Sequence, residues 1–344
     1  MPTPGGRRAS SPSASMAKRL RSRLVHLFAC AAAALMVGAC ATGSSSSTST
    51  SAGASTSATT AGPGLPGTGK PTVTIGDKNF TEEFVVGELY YQALKAQGFS
   101  VLLNRNIGPT EVTLQALASG RLSLYPEYLD IWNRDVAGYR RSFPTAYAAY
   151  QAGERYALHH GFELLDPTPF SDTDALGVTF NYAVQHGLSS IGDLSKVAPT
   201  LTLGAPPQFE HSPDGLPAVE RAYGFVPASF RSLAIGSQYQ TLDQGIVQAA
   251  DVGTTDGELI TGNYTLLKDP RHVFGWGNVV PVAPVRVLDA EGPAFEGTIN
   301  QVTALLTTSV IRQLNAAVDI SGEDPAVVAK QFLQAHGLVP EPGS

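Results

Sequence analysis

From Pro71 onward short β-branched runs alternate with helical patterns, and this alternation constrains the fold more than any other feature of the chain. Thr72-Val73-Thr74-Ile75 reads as a strand closed by a turn at Gly76-Asp77. Asn79 is placed to cap a helix from Phe80 to Gln97, with Glu82 three residues on and Gly98 as its stop. Phe84, Leu89 and Leu94 suit a single buried face, which leaves Glu88 outside. Phe99 to Leu103 reads as the next strand and Thr110 to Ser119 as a helix ended by Gly120. Leu122 to Tyr125 reads as a third strand, stopped by Pro126. A β-α-β-α-β order implies an α/β sheet, in which ligands bind beyond the C-terminal ends of the strands.

The rhythm continues. Strands are expected at Ala175 to Val178, Leu201 to Gly204, Phe230 to Ala234 and Ala250 to Gly253, with helices at Leu216 to Tyr223 and Gln238 to Gln244. After Leu266 come another strand region and C-terminal helices, Ala294 to Ala317 with breaks and Pro325 to Ala335. No repeat of 20–50 residues occurs, which excludes solenoids and propellers.

The N-terminal segment follows other rules. Arg7, Arg8, Lys18, Arg19, Arg21 and Arg23 precede an apolar run from Leu24 to Val37 and then Gly38-Ala39-Cys40. This is the layout of a secretory signal, spanning residues 1–39, and the run is short for a membrane span of about 20 residues. Val37-Gly38-Ala39-Cys40 resembles a bacterial lipobox, in which Cys40 is lipidated and becomes the mature N-terminus. Met16 is an alternative start, since Lys18 and Arg19 follow it directly. Residues 40–70 are dominated by Ser, Thr, Ala and Gly, the composition of a flexible tether. The expected location is the extracytoplasmic face of the cell membrane, through a lipid anchor.

Beyond this leader the charge turns strongly acidic. Six of the 23 Lys and Arg lie before Cys40, which leaves 17 against 29 Asp and Glu, a net of −12. Such a domain has no electrostatic footprint for nucleic acid. The two cysteines are Cys30 and Cys40, so the mature fold has neither disulfide nor thiol ligand. Histidines are scattered apart from His159-His160, and nothing has zinc-ligand spacing. Phosphate-loop and nucleophile-elbow motifs are absent. Nothing calls for a metal or cofactor, and the residues favour binding over catalysis.

Polar and aromatic residues collect at predicted strand ends and turns: Asp77-Lys78-Asn79-Phe80, Tyr125-Pro126-Glu127-Tyr128, Ser171-Asp172-Thr173-Asp174, Gln238-Tyr239-Gln240 and Thr254-Thr255-Asp256-Gly257. Taken singly, each has an ordinary structural explanation: Asn79 and Asp172 as caps, Tyr128 and Tyr239 as half-buried core, Asp256-Gly257 as a turn. Together with Ile75 to Glu82, Pro213-Asp214-Gly215-Leu216-Pro217, Ile235 to Leu242 and Asp324 to Leu333, they resemble the substrate-binding proteins of osmoprotectant ABC transporters, which bind glycine betaine, choline and carnitine. The resemblance covers nearly all of Thr72 to Leu338.

It implies a bilobal periplasmic-binding-protein fold of the two-crossover type. Lobe one would comprise about residues 71–171 and 253–341, and lobe two about 172–252. A ligand would lie between them and a membrane permease would receive it. The family's lysine matches Lys78, two tyrosines of its aromatic cage match Tyr128 and Tyr239, and its aspartate in the first crossover matches Asp172. Asp174 stands where a tyrosine is common, Ser212 where an arginine is common, and Gly253 where an aromatic is common. Leu129-Asp130-Ile131 replaces a Thr-Gly-Thr, with Trp132 next. The candidate ligand-binding set is Lys78, Tyr128, Trp132, Asp172, Asp174, Ser212, Tyr239 and Thr254. The expected ligand is a quaternary-ammonium or other cationic compatible solute, choline- or betaine-like, and the departures push away from betaines toward cations without a carboxylate. A cleft remodelled for a neutral or aromatic solute is the second reading, and an enzyme on the same fold the third.

Overall fold

A computed structural model describes residues 64–341. The signal segment, Cys40 and most of the tether lie outside the described residues. The tether itself ends earlier than its composition suggests. Gly67 donates to the carbonyl of Gln97 at 2.9 Å and Lys70 Nζ to that of Ala290 at 2.9 Å, so residues 64–70 are docked on the folded body.

Lobe one begins with β1 (Val73–Gly76), α1 (Thr81–Ala96), β2 (Val101–Asn104), α2 (Thr110–Ala118) and β3 (Tyr125–Tyr128). β1 pairs in parallel with β2. A short helix α3 (Leu129–Ile131) runs into a π-helical turn, Trp132–Val136, and then come α4 (Ala146–His159) and β4 (Phe162–Leu164). Lobe two contains β5 (Asp174–Thr179), α5 (Phe180–His186), β6 (Thr202–Ala205), α6 (Leu216–Tyr223), β7 (Ser229–Ser232), α7 (Gln238–Asp243), β8 (Ala249–Gly253) and β9 (Tyr264–Leu266). The chain returns to lobe one through β10 (Val279–Pro284), α8 (Val285–Glu291), α9 (Pro293–Leu305), α10 (Thr308–Asp319) and α11 (Pro325–Ala335). The mixed α/β, bilobal class expected from the sequence is the one observed.

Pro126 does not stop the third strand; it lies inside β3. Its partner across β10 is Pro281. The next-but-two pair, Leu129 and Asn278, is hydrogen-bonded at 3.0 Å, and antiparallel pairs alternate between bonded and unbonded. Pro126 and Pro281 therefore face each other at an unbonded position, where neither needs an N–H. The preceding segment contributes only an isolated parallel bridge, Ile75 to Leu124.

α1 is buried on nearly every side because α9, α10 and α11 pack around it. Glu88, expected outside, is buried and paired with Arg105. The helix starts after Phe80 with no side-chain cap, and Asn79 is exposed. Lobe two also runs past Val252. After Gly257–Thr261 packs on α10, the chain adds β9 to the edge of the order β7-β6-β8-β5-β9. Leu267, Val273 and Phe274 then join the lobe-two core.

The passages between the lobes run side by side. Asp172 N–H donates to Gly277 O at 2.9 Å, Thr254 N–H to Thr173 O at 3.0 Å, and Thr254 Oγ1 to Ser171 O at 2.8 Å. A Cβ on Gly277 would lie 1.6 Å from the Asp172 carbonyl oxygen, so only glycine allows the strands to touch.

Candidate functional site

The C-terminal end of β1 delivers Asp77 and Lys78 to the boundary between the lobes, and β3 delivers Glu127 and Tyr128 beside them. Lys78 and Glu127 are buried and form a direct ion pair. Glu127 also accepts from Thr110 Oγ1 at 3.0 Å and from the Tyr128 N–H at 2.8 Å. Lys78 is thus held against the ring of Tyr128, its Nζ 5.5 Å from the centroid. The Tyr128 hydroxyl donates to Glu82 Oε1 at 2.8 Å, and Asn315 of α10 donates to Glu82 Oε2 at 3.1 Å. Phe80 tilts at 39° to Tyr128 with centroids 5.7 Å apart. This gives a fixed aromatic face at a strand end, where an α/β sheet places its ligand.

That face opens on a cavity of about 1190 Å3 between the lobes. Tyr128, Phe80, Asp130 and Asp172 line it from lobe one and the first crossover; Asp174 and Phe274 line it from lobe two. Asp130 Oδ1 is buried without a hydrogen-bond partner. Burial raises the Asp130 carboxyl to about 7, against the opposing influence of the Ile131 N–H and Arg134. Burial also holds Asp172 well above the usual carboxylate range, and the nearby Glu82 adds to the effect. Asp174 rises for the same first reason, opposed by Arg134. Desolvation is the shared first cause.

Sequence reasoning missed Arg134. It lines this cavity and a second one whose other lining residues belong to lobe two. It binds Asp135 through Nε and Nη2 at 2.9 and 3.0 Å, and its Nη1 lies 3.4 Å from Asp214 Oδ2 in the opposite lobe. Trp276 was also missed; it donates to the Phe143 carbonyl at 2.9 Å and faces the cavity with it. Arg134 carries a faint signal: it lies one helical turn beyond Asp130, just past the end of a strand.

Three expected residues sit elsewhere. Trp132 is fully buried in the lobe-one core, donating to Gly153 O at 3.2 Å and meeting Tyr156 and Phe162 edge-on. The helical turn after β3 points it inward, away from the cleft. Tyr239 is buried in lobe two, its hydroxyl on Asp256 Oδ2 at 2.8 Å and its ring on Tyr264; it lines neither cavity. Thr254 ties the crossovers together and lines neither. Lys78 reaches the cleft, but its charge is already matched by Glu127. Asp172 and Asp174 line the main cavity, whereas Ser212 lines the lobe-two cavity.

Two α/β lobes, joined by adjacent crossovers around a cavity at strand ends, define a solute-binding protein. Residues 71–335 match OpuAC, the substrate binding domain of ABC-type glycine betaine transport system, and the chain belongs to that family. It is the substrate-binding component of an ABC transporter. It is 29% identical over 279 residues to a glycine-betaine-binding protein of Pseudomonas aeruginosa, covering 78% of this chain and 89% of that one. It is 28% identical over 284 residues to the carnitine transport binding protein OpuCC of Listeria monocytogenes, covering 80% and 90%. Among solved structures, a glycine betaine/carnitine/choline ABC transporter protein matches with a TM-score of 0.72 at 25% identity, over 77% of this chain and 99% of that one.

Proposed function

We propose that the chain captures a quaternary-ammonium or similar cationic solute, choline-like rather than betaine-like, outside the membrane and passes it to a permease. One observation carries this reading: among the described residues, Asp130 and Asp172 stand on the cleft floor and neither makes an ion pair. The cations nearby are otherwise engaged, Lys78 with Glu127 and Arg134 with Asp135 and Asp214. Arg140, Arg141 and Arg221 also line the cavity, but they are exposed, where solvent screens them.

A trimethylammonium head needs no hydrogen bonds and prefers π faces, at about 0.5–2 kcal/mol each when desolvated. Tyr128 and Phe80 offer such faces beside the carboxylates. A betaine would bring a carboxylate of its own, and leaving that group without a dedicated partner costs about 2–5 kcal/mol. A neutral aromatic solute would draw no affinity from ionising Asp130 and Asp172, whereas a cation would, which disfavours that reading.

A thermal-shift screen of methylated amines against betaines tests the proposal. A ligand at a hundred times its Kd adds about 2.7 kcal/mol of stability. Choline or a close analogue should shift the melting temperature most; a larger shift with betaines, or none with any cation, contradicts the reading. Lipid attachment through Cys40 is part of the same proposal, supported by the lipobox-like segment. Cys40→Ser should move the protein from the detergent phase to the aqueous phase of a detergent extraction, and an unchanged distribution contradicts the anchor.

A further inference from the structure

Beside the main cleft lies a second chamber of about 540 Å3, sunk into lobe two. β6 runs parallel to both β7 and β8, so the C-terminal ends of three strands meet at its floor. That is where an open α/β sheet presents a ligand site. The volume is within the roughly 300–1,000 Å3 of small-molecule pockets.

Its polar lining is mostly acceptor. Asp174 pairs with Gly253 and Leu176 with Asp251 across β5 and β8, which sets the two aspartates diagonally on one sheet face. Gly253 puts no side chain between them. Gln208, Gln238 and Ser212 complete the polar wall, while Phe209 and Val252 supply the apolar one. Asp251 Oδ1 is buried with no hydrogen-bond partner. Burial lifts this carboxyl to about 9, with Asp174 and Asp256 adding to the effect.

The chamber communicates with the main cleft. Arg134, Asp174, Asp214 and Gly253 line both, and the Arg134–Asp214 contact stands between them. We propose that the lobe-two chamber is a second subsite, taking a protonated amine at the far end of a solute whose quaternary head lies against Tyr128 and Phe80. The preferred solute is then an elongated organic dication. This rests on the reading of the main cleft as a cation site.

Calorimetry on the full chain tests it with three probes: choline, pentyltrimethylammonium and (5-aminopentyl)trimethylammonium. The aminopentyl dication should bind at least tenfold more tightly than its methyl-ended counterpart. Asp251→Asn should lower the dication's affinity at least tenfold more than it lowers choline's. Gln238→Leu, on a different element, should reduce the same advantage, so a poorly folding Asp251 variant leaves the test intact. Equal affinity for the two five-carbon probes overturns the subsite and leaves the cation reading standing. No binding by any probe overturns both.

Discussion

Arg134 reaches across the cleft, with its Nη1 3.4 Å from Oδ2 of Asp214. One residue sits on the π-helical turn of lobe one and the other just before α6 of lobe two. Their side chains are 33% and 55% exposed, so the contact belongs with surface pairs worth about 0.2–1 kcal/mol. Asp214→Asn should therefore shift the ligand-free ratio of closed to open forms by roughly 1.5- to 5-fold towards open. Fluorescence distance distributions between labels on the two lobes measure this; an unchanged distribution means the contact does not restrain the lobes.

The carboxyl of Asp130 is raised from 3.8 to about 7, by burial first. A bound cation favours the ionised form, so cation affinity should rise with pH between about 6 and 8. In the ligand-free protein the sign reverses. A raised folded pKa contributes stability that is complete below 3.8 and is lost as pH climbs through about 7. Asp130→Asn should flatten the part of the affinity profile near pH 7, while the raised Asp172 continues to titrate. A wild-type affinity independent of pH across this window contradicts the cleft-floor assignment.

Two tyrosines that look alike in the sequence and are equally buried should both cost stability when truncated, but only one should cost affinity. Tyr128→Ala should weaken binding about two- to thirtyfold through loss of a π face. Tyr239→Ala should cost about 3–5 kcal/mol of stability, as large-to-small aromatic changes in cores do, with little change in affinity per folded molecule. Denaturant melts alongside titrations separate the two effects. Loss of affinity without loss of stability in the Tyr239 variant would return that residue to the cleft.

The contrast shows what could be read ahead of the structure. Four strands and two helices of lobe two were legible to within about two residues, because their hydrophobic periodicity is local, whereas α5 and β9 were not. α6 spans Leu216–Tyr223, as its pattern predicts. What failed depends on distant partners. Glu88 is covered by helices formed more than 200 residues later, and Pro126 is tolerated because its pairing with β10 puts it at a position where no N–H is needed. Trp132 and Arg134 are separated by two positions on a tight turn, yet one points into the core and the other into the cleft. No spacing rule for a regular helix assigns those directions. The short strand β9 lacks a strong pattern, so the sequence ends lobe two at Val252, short of the strand that closes its sheet.

The central claim is that this cleft prefers cations without a carboxylate, and calorimetry of choline and glycine betaine on one preparation tests it most directly. Asp174 lines the main cavity, and the resemblance drawn from the sequence implies a tyrosine there and a carboxylate-holding arginine at the position of Ser212 in other members of the family. Choline should bind at least tenfold more tightly than glycine betaine, since even 1.4 kcal/mol of the missing carboxylate contact gives that ratio. Asp174→Asn should narrow the gap by weakening choline more than betaine. Tighter binding of glycine betaine, or an Asp174→Asn variant with unchanged preference, would contradict the account.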